Sequence, residues 1–155
     1  MSKKTTDVSN FALAGFGRFG RHHANVIANY PSSRLLAIAE PNQLAFEQAS
    51  KEFPETAIFK DPFRMMEEVD VDAISIVSPE DTHAELVKHA LNKDIHVFCE
   101  KPLSYTSADS LKIIDLCKKN DCNLYVNFMR RSDPASKEIK KRIDSRSIMG
   151  PFKGV

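Results

Sequence analysis

The chain has 155 residues, 42% of them hydrophobic and 28% charged, which suits one globular domain with a sizeable core. Its 22 Lys and Arg nearly cancel 21 Asp and Glu, so charge marks neither a nucleic-acid nor a membrane-surface binder, and no apolar run reaches membrane-spanning length. Cys99, Cys117 and Cys122 have neither C-x-x-C nor finger spacing, which reads as reduced thiols of a cytoplasmic protein with no metal site.

Residues 1–9 are polar and lack a signal-peptide core, so they read as a disordered lead-in. An apolar strand then runs from Asn10 to Gly15, and three glycines follow at G-x-G-x-x-G spacing. Each has a separate task in a dinucleotide site: Gly15 for the tight turn, Gly17 for close approach of a pyrophosphate, Gly20 for helix-on-strand packing. The expected helix from Arg18 to Asn29 would offer its N–H groups and positive dipole end to the phosphates. Arg34–Ala39 is a second buried strand, closed by Glu40 and Pro41. Asn42 caps the next helix, Ala57–Phe59 forms a short strand, and Asp61-Pro62 opens a helix with Met65 and Met66 as core filler.

Val71–Val77 is a fourth strand, ending at Ser78-Pro79. Thr82-His-Ala-Glu85 has capping-box form and opens a helix with Leu86, Val87, Ala90 and Leu91. Asp94–Cys99 is a fifth strand closed by Glu100-Lys101-Pro102, and a helix with Leu111, Ile113, Ile114 and Leu116 leads to a sixth at Asn123–Phe128. Asp133-Pro134 repeats the cap-plus-proline device before a basic helix through Ile143. Buried strands alternating with helices predict an α/β domain, a doubly wound parallel sheet covered on both faces.

In such a sheet, ligands bind beyond the carboxyl ends of the strands. The glycine loop, Glu40, Ser78–His83 and Glu100-Lys101-Pro102 all fall there. Glu40 is placed to accept from the adenosine ribose hydroxyls and would repel a 2′-phosphate, which favours NAD over NADP. Lys101 is open between a solvated lysine and a group that polarises a substrate oxygen or relays a proton. His83 is open between the cofactor and ordering of its own loop. His22 and His23 read as packing or phosphate-proximal residues, and His89 and His96 as structural.

These stretches resemble the N-terminal half of the Gfo/Idh/MocA oxidoreductase family. The matching residues are Gly15-Phe16-Gly17-Arg18-Phe19-Gly20 with His23-Ala24, Ser78-Pro79 with His83-Ala84, and His96–Leu103 with Glu100-Lys101-Pro102 at its centre. Asn127–Pro134, with Arg130, is similar to inositol dehydrogenases of the family, although Ser132 stands where those have an aromatic residue. The resemblance implies a Rossmann fold and oxidation of a secondary alcohol of a polyol or sugar. It implies that Lys101 is the catalytic-site lysine, that Glu100 and Pro102 set the nicotinamide end, and that Ser78 and Pro79 line the cofactor. Glu80 departs from the asparagine common after that proline.

The family's partner histidine, its substrate contacts and its oligomer interface lie on a second α/β domain. Residues 10–131 are therefore expected to form the dinucleotide-binding domain, and 132–155 a helix and the start of a connection to a substrate domain absent from the chain. Two readings stay open here. One is the cofactor-binding half of an NAD-dependent oxidoreductase, poorly active alone and, with apolar surface exposed, prone to form a homo-oligomer. The other is a stand-alone dinucleotide-binding or sensor module.

Overall fold

A computed structural model describes residues 8–145; the expected lead-in up to residue 7 and the tail from residue 146 lie outside the described residues. The elements alternate from the start: β1 (Ser9–Ala14), α1 (Arg18–Asn29), β2 (Ser33–Ala39), α2 (Gln43–Glu52), β3 (Ala57–Phe59), α3 (Pro62–Glu68) and β4 (Ala73–Ile76). They continue with α4 (His83–Asn92), β5 (His96–Glu100), α5 (Ser107–Lys119), β6 (Leu124–Asn127) and α6 (Pro134–Asp144). The six strands form one sheet in the order β3-β2-β1-β4-β5-β6, and every neighbouring pair is parallel. The expected doubly wound Rossmann sheet is therefore present, with its reversal of strand order between β1 and β4.

Residues of β1 and β2 feed two cores, while the buried apolar residues of β4 and β5 feed one. Leu13, Leu35 and Ile38 meet Ala24 of α1 and Ala49 of α2 on one face. On the other, Ala12, Ala14, Ile74, Ile76, Val97 and Cys99 meet α3, α4 and α5 through side chains such as Met65, Leu91 and Ile113. This period-two division is what burial of a strand on both faces requires. Cover is incomplete over β5 and β6, where the ring of Phe98 stacks on Tyr125 at 5.1 Å and Tyr125 stays half exposed.

Local signals set most boundaries. Asn42 accepts from the Ala45 amide at 3.1 Å, Asp61 from Phe63 at 2.8 Å and Asp133 from Ser136 at 2.8 Å, so these three expected caps form, two of them with proline in the first helical turn. The expected capping box at Thr82 does not form. Glu80–Thr82 is already a 3₁₀ turn, so Thr82 is helical, and its hydroxyl donates to Pro79 O at 2.7 Å instead of accepting from α4. A side-chain cap does stand at α5, where Thr106 Oγ1 accepts from the Asp109 amide at 3.0 Å and donates to the Asp109 carboxylate at 2.8 Å. β5 begins later than the sequence pattern suggests because Asp94 takes a left-handed φ of 57° and turns the chain.

Candidate functional site

The carboxyl ends of β1, β2, β3 and β4 frame a crevice of about 980 Å³ at the reversal of strand order. The glycine loop forms its floor, and each glycine can be judged by what a Cβ would meet. Gly15 has a φ of 96°, and a Cβ there would lie 2.7 Å from Val77 O. At Gly20 a Cβ would lie 2.0 Å from Gly15 O, so helix and loop touch backbone to backbone. A Cβ on Gly17 would meet nothing within 4 Å, which leaves open space above the residue that caps α1. The first turn of α1 has neither a side-chain cap nor an acidic residue, so its amides and dipole end face that space.

Glu40 closes the end of β2 and is 8% exposed. Its Oε2 accepts from the Phe16 amide at 2.6 Å and its Oε1 from the Asn42 amide at 2.8 Å. Each carboxylate oxygen retains a further lone pair for a hydroxyl donor. Phe16 itself points away from the crevice: its ring is buried and meets Phe53 edge-on at 5.8 Å. Only its backbone faces the loop. Arg18 and Phe19 border the crevice, with the guanidinium 5.5 Å from the Phe19 ring centroid.

On the opposite wall, Ser78 Oγ and Thr82 Oγ1 are 2.6 Å apart, and both residues border the crevice with Pro79. His83 is 1% exposed and does not reach the open space. Its Nδ1 lies 2.7 Å from Pro102 O and its Nε2 2.9 Å from Ser78 O, so the ring ties the loop after β4 to the loop after β5. Of the two readings of His83 left open by the sequence, the geometry has loop ordering. The Lys101–Pro102 peptide is cis.

The Lys101 side chain is 54% exposed, with its Nζ 3.9 Å from Glu80 Oε1. An exposed pair at that separation contributes little to stability, which leaves the ammonium free to engage a ligand oxygen. Glu100 turns the other way, beneath α1. Its Oε1 accepts from Asn127 Nδ2 at 2.6 Å and lies 3.3 Å from His23 Nε2, while His23 Nδ1 is 2.9 Å from Ser75 Oγ. Burial pushes the His23 pKa down from its ordinary 6.5, and the facing Glu100 carboxylate partly offsets this. Burial pushes the Cys99 thiol up to about 12, so it is no nucleophile at neutral pH.

Arg130 stands apart from the crevice in a 3₁₀ turn after β6, 84% exposed, with Asp133 4.0 Å away. Sequence reasoning passed over Lys60, Asp61 and Phe63, which wall the crevice beyond β3. The rule that ligands sit at strand carboxyl ends would have found them had it been applied to that short strand. Lys60 is drawn to α2, where it donates to Gln43 and lies 5.1 Å from the Phe46 ring centroid. Among the described residues no group of His, Cys, Asp and Glu could hold a metal ion, and no helix is long and apolar enough to cross a membrane.

The uncapped helix, the open space over Gly17 and the crevice volume fit a dinucleotide. Comparison with known proteins agrees. A family model described as "Oxidoreductase family, NAD-binding Rossmann fold" matches residues 9–128. The chain is 33% identical over 142 residues to scyllo-inositol 2-dehydrogenase (NAD(+)) of Bacillus subtilis, covering 91% of this chain and 42% of that one. It is 34% identical over 139 residues to myo-inositol 2-dehydrogenase of Thermotoga maritima, again covering 42% of the relative. Among solved structures, scyllo-inositol dehydrogenase from Lactobacillus casei with bound NAD(H) and scyllo-inositol superposes with a TM-score of 0.82 at 29% identity, over 91% of this chain and 42% of that one. The chain thus spans less than half the length of the relatives it matches.

Proposed function

This chain belongs to the Gfo/Idh/MocA oxidoreductase family, and from that membership we propose that it is the NAD-binding part of a cytoplasmic dehydrogenase acting on a secondary alcohol of an inositol or related sugar. The observation that carries the reading is the crevice itself, with the glycine loop and the uncapped helix at its floor and Glu40 on its wall; Lys101 follows β5, outside the crevice lining. Bound in the crevice, NAD supplies the hydride acceptor. The first-turn amides of α1 hold the pyrophosphate, and Glu40 accepts from the adenosine ribose hydroxyls while disfavouring a 2′-phosphate. Ser78 and Pro79 line the crevice on the side toward Lys101, and Pro102 is tied to that loop through His83. The Lys101 ammonium would donate to the substrate oxygen and steady the charge that develops as a base of the substrate-binding half takes the hydroxyl proton.

In this reading residues 10–131 form the dinucleotide-binding domain, and 132–155 lead toward a substrate-binding half such as the longer relatives have room for. Arg130, beside that junction, then acts at the edge of the nicotinamide end once the two halves meet. The names of the relatives point to inositol as the substrate class. The test is calorimetric binding of NAD to this chain, followed by inositol-dependent NAD reduction in the parent protein. NAD binding with reduction by myo- or scyllo-inositol supports the proposal; NAD binding with no reduction by any cyclitol or sugar removes the substrate assignment.

A further inference from the structure

Glu100 and Lys101 are sequence neighbours with opposite surroundings. Lys101 extends toward Glu80 with half its side chain in solvent, whereas the Glu100 side chain is 11% exposed and the facing His23 ring 13%. Three donors and acceptors from three further elements converge there: His23 of α1, Ser75 of β4 and Asn127 of β6. Their protons can be assigned without conflict. Ser75 donates to His23 Nδ1, His23 Nε2–H donates to Glu100, and Asn127 donates to the same carboxylate, so a neutral ring and an ionised acid satisfy the cluster. His23, Ser75, Glu100 and Asn127 all line a cavity of about 470 Å³, on the sheet face that carries α1. The Glu100 carboxylate does not line the dinucleotide crevice.

His23 lies one helical turn beyond Gly20, on the helix whose first-turn amides face the phosphate space. Resting on the NAD-binding reading above, we infer that Glu100 is a positioning residue and not a cofactor ligand: through His23 it locks the phosphate-binding helix to the strand that presents Lys101. Asn127 extends the same brace to β6. The pyrophosphate grip and the lysine are thereby held as one body, and the acid of the Glu-Lys-Pro stretch acts at a distance from both.

The experiment compares NAD with ADP, which has the adenosine and diphosphate but no nicotinamide. Calorimetric titration of the chain carrying Glu100→Gln should weaken both ligands by a common factor of about ten, the order of one charge-assisted hydrogen bond. Asn127→Ala, at an edge strand, removes one arm of the brace and should give a smaller common factor. Ile113→Val, in the core on the opposite sheet face, lowers the melting temperature and should leave ADP affinity unchanged, which separates positioning from general loss of stability. Nitrogen NMR should show the His23 ring as the Nε2–H tautomer in the wild type and a changed tautomer balance in Glu100→Gln. Loss confined to NAD would make Glu100 a direct ligand of the nicotinamide end and overturn the inference. Unchanged affinity for both ligands would overturn it too. Wild-type protein that binds neither ligand contradicts the NAD-binding reading itself, and the inference falls with it.

Discussion

Glu40 Oε2 accepts a 2.6 Å hydrogen bond from the Phe16 amide, so the end of β2 is fastened to the glycine loop by the same carboxylate that is proposed to bind ribose. One residue therefore shapes the loop before any ligand arrives. Its second oxygen holds the Asn42 amide and so the start of α2.

Replacing Glu40 with Ala should accordingly do more than alter cofactor choice. Two backbone donors lose their acceptor, which costs about 2–4 kcal/mol of unfolding free energy. Urea denaturation without ligand checks this. NAD affinity should fall without a matching gain for NADP, because the loop that receives either cofactor is disturbed. A Glu40→Ala protein as stable as wild type would show that the carboxylate does not hold the loop.

Gly17 and Gly20 should separate cleanly. Gly20→Ala drives a Cβ to 2.0 Å from Gly15 O and should cost about 3 kcal/mol through forced displacement of helix or loop. Gly17→Ala meets open space and an extended φ of −68°, so the fold should tolerate it. Its effect should appear in binding alone, as NAD affinity lower by about tenfold where the pyrophosphate must approach the backbone. Melting curves and titrations of the two variants test the pair.

His23 makes the fold sensitive to acid in a stated direction. Its folded pKa lies below 6.5, chiefly through burial and against the opposing pull of Glu100. Above 6.5 the ring is neutral in both states and its contribution is fully present. As pH falls below 6.5 the unfolded chain takes up the proton first, so stability drops until the folded site is protonated as well. The urea midpoint should decline as pH falls through 6.5 and below, and His23→Gln should flatten that slope. A midpoint that rises on acidification would contradict the sign.

Lys101→Ala should leave the fold and NAD affinity nearly unchanged, since the side chain is 54% exposed and its partner Glu80 is 3.9 Å away. An exposed pair of this kind is worth under about 1 kcal/mol. In the full dehydrogenase proposed above, the same change should lower turnover by about a hundredfold or more, the range for removing one donor that stabilises developing charge. Unchanged turnover would remove Lys101 from the chemistry.

The parts of the fold legible in the sequence are those written locally. Asn42, Asp61 and Asp133 announce their helices because a cap and its amide lie two or three residues apart. The glycine spacing is likewise local, and the structure gives Gly15 and Gly20 physical necessity. Thr82 misled because the capping-box pattern cannot show that the chain turns helical at Glu80. Phe16 sits inside the motif yet sends its ring into the core. The His23–Glu100 contact joins residues far apart in the chain, so no spacing rule could reveal it, and it appears only once α1 is laid across the sheet.

The most direct measurement is calorimetric titration of the chain with NAD and, separately, with NADP. The account predicts saturable NAD binding, with NADP weaker by about tenfold or more because Glu40 meets the 2′-phosphate with a buried negative charge. Equal binding of both cofactors would contradict the role given to Glu40. Absence of binding by either would contradict the crevice as a dinucleotide site.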